Sequence, residues 1–308
     1  MKPLEAMEIF RRVAELSSFT AAAESLGLPK SRVSTSVRQL EAFVGTRLLH
    51  RTTRRVRLTP DGERLYETTL DLLDQVETVQ QMFREHRGEL RGRLRVDAPL
   101  GVTGRVILPN LPAFLERHPG LSVELSSTDR RVDVVSEGFD CVLRVGDIVD
   151  SSLVARPLGA YRIVNVASRA YIDAYGMPTS LEDLERHRLI HYVPDLGNRS
   201  SGFEYVLPGE AGRVRFLPMA GSVTVSNSDS YRKACLAGLG IIQVPEPPVR
   251  AQLDAGDLVE VLPEYRCAPM PVTLLYANRR HLPQRVRVFM DWLAELMAPI
   301  LEAPGGGR

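Results

Sequence analysis

Lysine, cysteine and long apolar runs are scarce in this chain. Of its 308 residues only three are lysines, and outside the first 30 residues Lys233 alone could carry a Schiff-base cofactor. No Gly-x-Ser-x-Gly elbow is present, and no glycine-rich phosphate loop convincingly precedes a helix. We therefore expect no catalytic residue, no cofactor and no enzymatic activity.

Metal binding and export are also disfavoured. The cysteines (Cys141, Cys235, Cys267) are odd in number and lack metal-ligand spacing, which fits small buried apolar side chains in a reduced compartment. His187 and His191 lack the glutamate of a zinc-protease motif. With no signal-peptide core and no membrane-length apolar run, we expect a cytoplasmic protein without a metal site.

Positive charge is concentrated at the amino terminus. Residues 1–58 contain eleven Lys or Arg and five Asp or Glu, a balance of +6, whereas the remainder has 28 basic and 33 acidic residues, a balance of −5. This asymmetry indicates that the first segment meets a polyanion. The alternative is chance clustering on a solvated face.

The first 60 residues have the pattern of a winged helix-turn-helix. Helices are predicted over about 4–16, Phe19–Leu26 and Lys30 to about Phe43, with Ser18 and Gly27 as cap and turn. Short strands at residues 48–51 and 56–58 would flank a basic tip. An ordinary helical hairpin is the alternative. The predicted DNA-contact residues are Thr20, Lys30, Ser31, Arg32, Ser34, Thr35, Arg38, Arg51, Arg54, Arg55 and Arg57.

A long helix follows, with Thr59 as its cap and Pro60 in its first turn. It is predicted to run to about Arg87, and its apolar positions recur with heptad spacing. We interpret this stripe as a dimerisation seam; the alternative is packing against the chain's own domains. The seam residues are Leu65, Thr69, Leu72, Val76, Val79 and Phe83.

Beyond a polar hinge at residues 88–93, strand and helix patterns alternate. Strands are predicted near residues 94–96, 121–126, 141–144, 161–167, 240–244 and 272–276. Helices are predicted near residues 101–115, 131–137, 169–175, 181–186, 228–237 and 284–301. This alternation predicts mainly parallel sheets covered by helices, in two lobes with a ligand cleft.

The chain resembles the LysR-type transcriptional regulators, in particular the CrgA-like subgroup. The motifs are Ser18-Phe-Thr-Ala-Ala-Ala23, Lys30-Ser-Arg-Val-Ser34, Leu48-Leu-His-Arg51 and Leu58-Thr-Pro-Asp-Gly62, with Asp129-Arg-Arg-Val-Asp133 and Glu137-Gly-Phe-Asp-Cys-Val-Leu-Arg-Val-Gly146 in the body. The resemblance covers residue 4 to about residue 301.

The resemblance implies an α/β protein with a winged helix-turn-helix (1–59), a linker and dimerisation helix (60–88) and a periplasmic-binding-protein-like (type 2) effector domain (89–302). Its lobe I would span about 93–160 and 269–302, and its lobe II about 161–268. The implied partners are promoter DNA with an imperfect palindrome, a small organic effector and further copies of the chain, with RNA polymerase as a candidate. An enzymatic or solute-binding carboxy-terminal domain remains the alternative.

The family's effector positions fall on Pro99, Leu100, Gly101, Val102, Thr128, Arg144, Gly146, Asn227, Ser228 and Asp229. Helix starts at Pro99 and Asn227 would favour anionic groups, and Arg144 could clamp a carboxylate. The alternative for Arg144 is an ion pair with Asp140 or Asp147. Where many relatives have Ser or Thr in the first loop, this chain has Pro99-Leu100-Gly101, which leaves only backbone donors there.

The seam leads to a direct test. Leu72→Asp places a charge in the middle of the predicted helix pair, so we expect the oligomer to dissociate. Light scattering of the purified protein measures this, with Thr68→Asp, outside the seam, as the control. An unchanged mass for Leu72→Asp would refute the seam.

Overall fold

Four helices and a small hairpin make up most of the amino-terminal part of the molecule. The computed structural model describes residues 2–51, 56–82, 90–130, 132–135, 137–148, 153–210, 213–277 and 282–303. It divides into two units. The first comprises Met1–Leu90, Val135–Gly138 and Arg279–Arg287, and the second the remaining residues.

The first unit follows the predicted order of elements. Its helices are α1 (Pro3–Leu16), α2 (Phe19–Leu26), α3 (Lys30–Val44) and α4 (Pro60–Met82). Strands β1 (Leu49–Arg51) and β2 (Val56–Leu58) pair antiparallel. These bounds confirm the predicted helices and strands to within about a residue, except that the predicted end of the long helix near Arg87 lies outside the described residues.

Local signals at the helix ends account for this agreement. The Ser18 hydroxyl accepts a hydrogen bond from the Ala21 amide at 3.3 Å, and Gly27 ends α2 in a left-handed conformation at φ 63°. The Thr59 hydroxyl caps α4 by accepting from the Gly62 amide at 2.9 Å. Each predicted cap is confirmed.

A single apolar core joins these elements. The buried stripe of α3 is Val33, Val37 and Leu40, as its spacing predicts. It packs with side chains from every other element of the unit. The remaining buried residues of this core are Ala6, Ile9, Phe10, Val13, Ala22, Ala23, Leu48, Leu49 and Tyr66.

Two principal sheets organise the second unit. The larger contains β3 (Arg91–Ala98), β4 (Gly120–Ser127), β5 (Cys141–Val145), β6 (Leu153–Tyr161) and β14 (Met270–Ala277), in the order β4-β3-β5-β14-β6. The smaller has the order β12-β7-β13, from β7 (Ile163–Ser168), β12 (Ile242–Pro245) and β13 (Leu258–Glu260). In the described part of this unit, two shorter sheets pair β8 (His191–Tyr192) with β11 (Thr224–Val225), and β9 (Phe203–Val206) with β10 (Val214–Leu217).

Helices connect these strands. A helical segment begins at α5 (Leu100–Val102), passes through a π-helical stretch (Thr103–Ile107) and ends as α6 (Leu108–Arg117). The others are α7 (Arg169–Tyr175), α8 (Ser228–Leu236), α9 (Arg250–Ala255) and α10 (Gln284–Met297). Short 3₁₀ turns occupy Glu182–Arg186, Pro247–Val249 and Ala298–Ile300.

Two expectations about this unit are wrong. The sheets are not mainly parallel, because β3 pairs parallel with β4 and β5, whereas β14 runs antiparallel to β5 and β6, and β7 antiparallel to β12 and β13. The predicted helix at residues 131–137 is absent from its described residues, which form turns that bury Val134 and Phe139 against Val142. Burial of Val134 and Phe139 there outweighs a weak helical pattern.

The cysteines behave as small core side chains. Cys141 and Cys235 are buried and Cys267 is half-buried. Burial raises the pKa of all three thiols and so disfavours the reactive thiolate. Within the described ranges, no group of three or more His, Cys, Asp or Glu side chains is placed to hold a metal, and no helix has the length and apolarity to cross a membrane.

His187 generates a pH prediction. Its Nδ1 lies within hydrogen-bonding distance, 3.2 Å, of the Tyr171 hydroxyl, which itself accepts from the Arg188 amide. Burial lowers the pKa of His187. The unfolded chain therefore binds a proton more readily, and stability falls, by at most about 1.4 kcal/mol per pH unit, as pH drops below about 6.5. We expect His187→Asn, which retains an acceptor, to reduce the difference in Tm between pH 7.5 and 5.5. The exposed His50→Asn is the control, and an equal pH dependence in both variants would contradict this role.

Gly62 generates a packing prediction. A Cβ at this position would overlap the backbone carbonyl of Leu48. Gly62→Ala should therefore destabilise the first unit by about 1–3 kcal/mol. The control is Gly104→Ala, where a Cβ meets nothing within 4 Å and helix propensity favours alanine. Thermal unfolding measures both, and equal Tm values would refute the close contact.

Candidate functional site

The outward face of α3 carries most of the predicted DNA-contact residues. Lys30, Ser31, Arg32, Thr35 and Arg38 are exposed, and Ser34 is partly exposed. Thr20 of α2 is also exposed. Because the opposite stripe of α3 is fixed in the core, this hydrogen-bonding face is held toward solvent on a rigid element. The structure therefore brings these seven predicted residues onto the surface of α2 and α3.

Several basic side chains of the first unit are already paired. Arg32 contacts Glu5 of α1 at 2.7 Å, with both side chains substantially exposed. Arg11 and Arg12 both contact Glu15, at 3.0 Å and 2.9 Å. The exposed pair of Arg32 with Glu5 contributes little to stability, so a phosphate can replace Glu5. In the structure, however, the Arg32 guanidinium is already paired.

The hairpin is fixed to α3 by Glu41. Its Oε1 accepts hydrogen bonds from the amides of Leu48 at 3.0 Å and Leu49 at 3.4 Å. Arg57 is exposed on β2, and Arg51 is the last residue of β1. The predicted contacts Arg54 and Arg55 lie outside the described residues. The start of β1 is thus anchored to the helix that presents the polar face.

The carbonyl side of Leu48 joins the hairpin to α4. It accepts the Thr59 amide at 3.0 Å, and the Thr59 hydroxyl donates to the Arg47 carbonyl at 2.7 Å. Thr46 donates to Asp61 of α4 at 2.9 Å. The Thr-Pro-Asp-Gly stretch is therefore a junction in which cap, helix start and close backbone approach coincide.

The predicted seam residues divide into two groups. Leu65 packs against the core of the first unit, where Thr69 is fully buried, so this end of the stripe contacts its own chain as the alternative interpretation held. Leu72 and Val76 are partly exposed further along α4. Val79 lies in the same helix, and Phe83 lies outside the described residues.

Arg144 occupies a different environment from either expectation. Its Nη1 donates to Asp97 Oδ2 at 2.8 Å, and Asp97 is fully buried. The predicted partner Asp140 instead accepts from the Arg95 amide at 2.8 Å. The ion-pair alternative thus names the wrong partner, because β3 lies beside β5 and brings residue 97 next to residue 144. The ion pair with Asp97 thus occupies Nη1 of the Arg144 guanidinium.

A single carboxylate joins two of the predicted effector segments. Asp129 Oδ1 accepts from the Leu100 amide at 3.0 Å, and Oδ2 accepts from the Ser228 amide at 2.6 Å. A Cβ on Gly101 would lie 3.8 Å from the Ser228 hydroxyl oxygen. We call Leu100, Gly101, Asp129 and Ser228 the Asp129 cluster. It lies where α5 and α8 begin.

Strand pairing explains how the Asp129 cluster forms. The parallel pair β3–β4 ends at Ala98 and Ser127, and the Thr128 amide donates to the Ala98 carbonyl at 3.2 Å. Leu100 and Asp129, each two residues beyond the end of its strand, therefore meet. Asn227 caps α8 by accepting from the Ser230 amide at 2.8 Å.

The other predicted effector residues have varied surroundings. Pro99 is the residue before α5, and Val102 is buried. Gly146 has φ 101° and donates its amide to Pro271 at 2.8 Å. Asp229 pairs with Lys233 at 2.7 Å and Arg232 at 3.1 Å, and these partners lower its pKa.

Burial and neighbouring charges near the Asp129 cluster shift the pKa values of Tyr192 and Arg105. Burial, followed by the Asp129 charge, raises the pKa of Tyr192 to about 12. Burial and then Arg232 lower the pKa of Arg105, while Asp229 opposes this shift. These effects place Tyr192 near Asp129, and place Arg105 of the π-helical stretch near the first turns of α8.

Sequence reasoning missed Asp129 as a site residue. It is the first residue of the Asp-Arg-Arg-Val-Asp stretch and directly follows Thr128, which was selected. Its place just after a predicted strand is the local signal, whereas the two helix starts that it faces are distant in the sequence.

Comparison with known proteins agrees with this architecture. The model described as bacterial regulatory helix-turn-helix protein, LysR family, matches residues 4–63, and the LysR substrate binding domain matches residues 87–298. The uncharacterised HTH-type transcriptional regulator YhjC of Escherichia coli (strain K12) is 44% identical over 302 residues, covering 98% of this chain and 100% of that protein.

Solved structures with similar folds match almost the whole chain. Full-length AphB, described as a Vibrio cholerae virulence activator, is 31% identical with a TM-score of 0.57, covering 96% of this chain and 99% of that one. CrgA of Neisseria meningitidis is 29% identical with a TM-score of 0.58, covering 94% and 97%. These likenesses confirm the predicted α/β fold, with its helix-turn-helix and substrate-binding domains. The chain therefore belongs to the LysR family of DNA-binding transcriptional regulators, which carry an effector-binding domain and are not enzymes.

Proposed function

We propose that this regulator reads promoter DNA in the cytoplasm through the exposed face of α3. The observation that carries this proposal is the polar and basic surface of α3, with Lys30 and Arg38 exposed and no acidic residue among the outward positions from 30 to 38. In a helix-turn-helix the second helix enters the major groove and its first residues meet base edges. Arginine at such a position pairs with guanine.

The hairpin supplies backbone contacts in this proposal. Arg51, Arg54, Arg55 and Arg57 would neutralise phosphates or enter the minor groove, which makes affinity strongly salt-dependent. Arg47, whose carbonyl accepts a hydrogen bond from Thr59, is exposed and adds positive charge to this unit.

We further propose that the chain works as a homo-oligomer. Leu72 and Val76 remain partly exposed on α4 and would pair with a second copy of the helix, so that two α3 helices meet two half-sites of an imperfect palindrome. RNA polymerase is a candidate partner of the assembled complex.

A small organic molecule would act at the cleft beside the Asp129 cluster. The support is that α5, which follows β3 of the larger sheet, and α8, which precedes β12 of the smaller sheet, both begin at Asp129, so a ligand can change how they pack. Such a change counts as allosteric only if effector and DNA binding show a measurable coupling free energy.

The DNA proposal is tested with Arg38→Ala. If Arg38 reads a base, we expect specific binding to weaken by about 1–3 kcal/mol, while binding to random duplex changes little. Gel shifts or fluorescence anisotropy with DNA from upstream of the protein's own gene, against random duplex of equal length, measure both affinities. Equal weakening on both DNAs would reduce Arg38 to a phosphate contact.

The matched control is Arg199→Ala, which removes the same charge from an exposed position in the second unit. It should leave both affinities unchanged. The proposed function itself fails if the unaltered protein prefers no genomic fragment over random duplex at moderate ionic strength, with and without candidate metabolites.

A further inference from the structure

We propose that Asp129 is an internal anion that fills the carboxylate position of the effector cleft. The effector would then present a neutral or cationic hydrogen-bond donor to this position, not an anionic group. The inference rests on the proposed function, because it concerns the ligand of the same cleft. It names the chemical class of the contacting group, such as an amine, amide or hydroxyl.

The first step is that the position attracts anions. The helical segment from Leu100 to Arg117 and α8 both start at the Asp129 cluster, and their first amides point to one carboxylate, at 3.0 Å and 2.6 Å. Unpaired amides and the helix dipoles give each start a partial positive charge. Two such starts facing each other make a position that favours a negative group.

The second step is that the position is already occupied. Asp129 uses one oxygen for each amide, so a carboxylate from solution would have to displace a group that the chain holds at high effective concentration. A second carboxylate beside the first would also suffer like-charge repulsion. Lone pairs of both Asp129 oxygens remain available to accept from a donor.

The third step is that three cations of this unit are already paired with carboxylates of the chain. Arg144 is paired with the fully buried Asp97. Arg232 and Lys233 are both paired with Asp229. Among the described residues, the buried Ser228 hydroxyl has no hydrogen-bond partner, so one polar atom of the cluster is still available to a ligand.

The test is chemical rescue of Asp129→Ala by acetate, which replaces the deleted carboxylate. The full-length variant should unfold about 3–6 °C below the unaltered protein in sodium chloride. Sodium acetate at about 0.1 M and matched ionic strength should restore at least about half of this loss, because it binds the folded state alone. The unaltered protein should show no acetate-specific shift.

Asp173→Ala is the matched control, since Asp173 is an exposed carboxylate on α7. It should show neither the loss nor the rescue. Failure of acetate to raise the Tm of Asp129→Ala above its value in chloride would overturn the proposal, as would an equal rise in the unaltered protein.

Asp129→Asn serves where Asp129→Ala does not fold. It retains the size of the side chain but turns an NH₂ group toward one of the two amides, so its Tm should fall relative to Asp173→Asn. An unchanged Tm would overturn the proposal. DNA binding is measured separately. If the unaltered protein shows no DNA sequence preference, the proposed function is refuted, whereas the acetate result still stands.

Discussion

Leu48 is the residue on which the geometry of the amino-terminal unit depends. Its amide donates to the Glu41 carboxylate of α3, and its carbonyl accepts from the amide of Thr59, which caps α4. The amide and carbonyl of Leu48 thus connect α3, the β1–β2 hairpin and α4. These elements must keep fixed positions if α3 and the hairpin are to contact the same DNA surface. Gly62 allows the linker helix to approach this carbonyl closely enough for the connection to form.

Polar contacts in the second unit also connect elements that are distant in the sequence. Asp97 and Arg144 are 47 positions apart and meet because their strands are neighbours. The ion pair thus links two neighbouring strands, and removal of either partner would leave an uncompensated buried charge. Asp129 does the same between sheets, since its two oxygens bind amides of segments 128 residues apart in sequence.

The contrast between expected and observed structure follows from the range of each interaction. Ser18, Gly27 and Thr59 act on backbone groups within three or four residues, so their effects could be predicted from neighbouring residues. The partner of Arg144 and the direction of β14 depend on strand order, which no local pattern encodes. Asp129 was missed for the same reason, because its meaning comes from amides at residues 100 and 228. The stretch near Val134 shows the reverse case, in which a local pattern yields to burial.

The position of β14 affects how the chain is made. This strand lies between β5 and β6, and β6 has no other neighbour in the order of the larger sheet, yet β14 starts only at residue 270. During synthesis on the ribosome, the larger sheet therefore remains divided until almost the whole chain has emerged, whereas the helix-turn-helix has all of its strands and helices by residue 82. Helices α1 to α4 and the hairpin can therefore fold first, and a chain that stops early would retain the helix-turn-helix without a completed effector-binding domain.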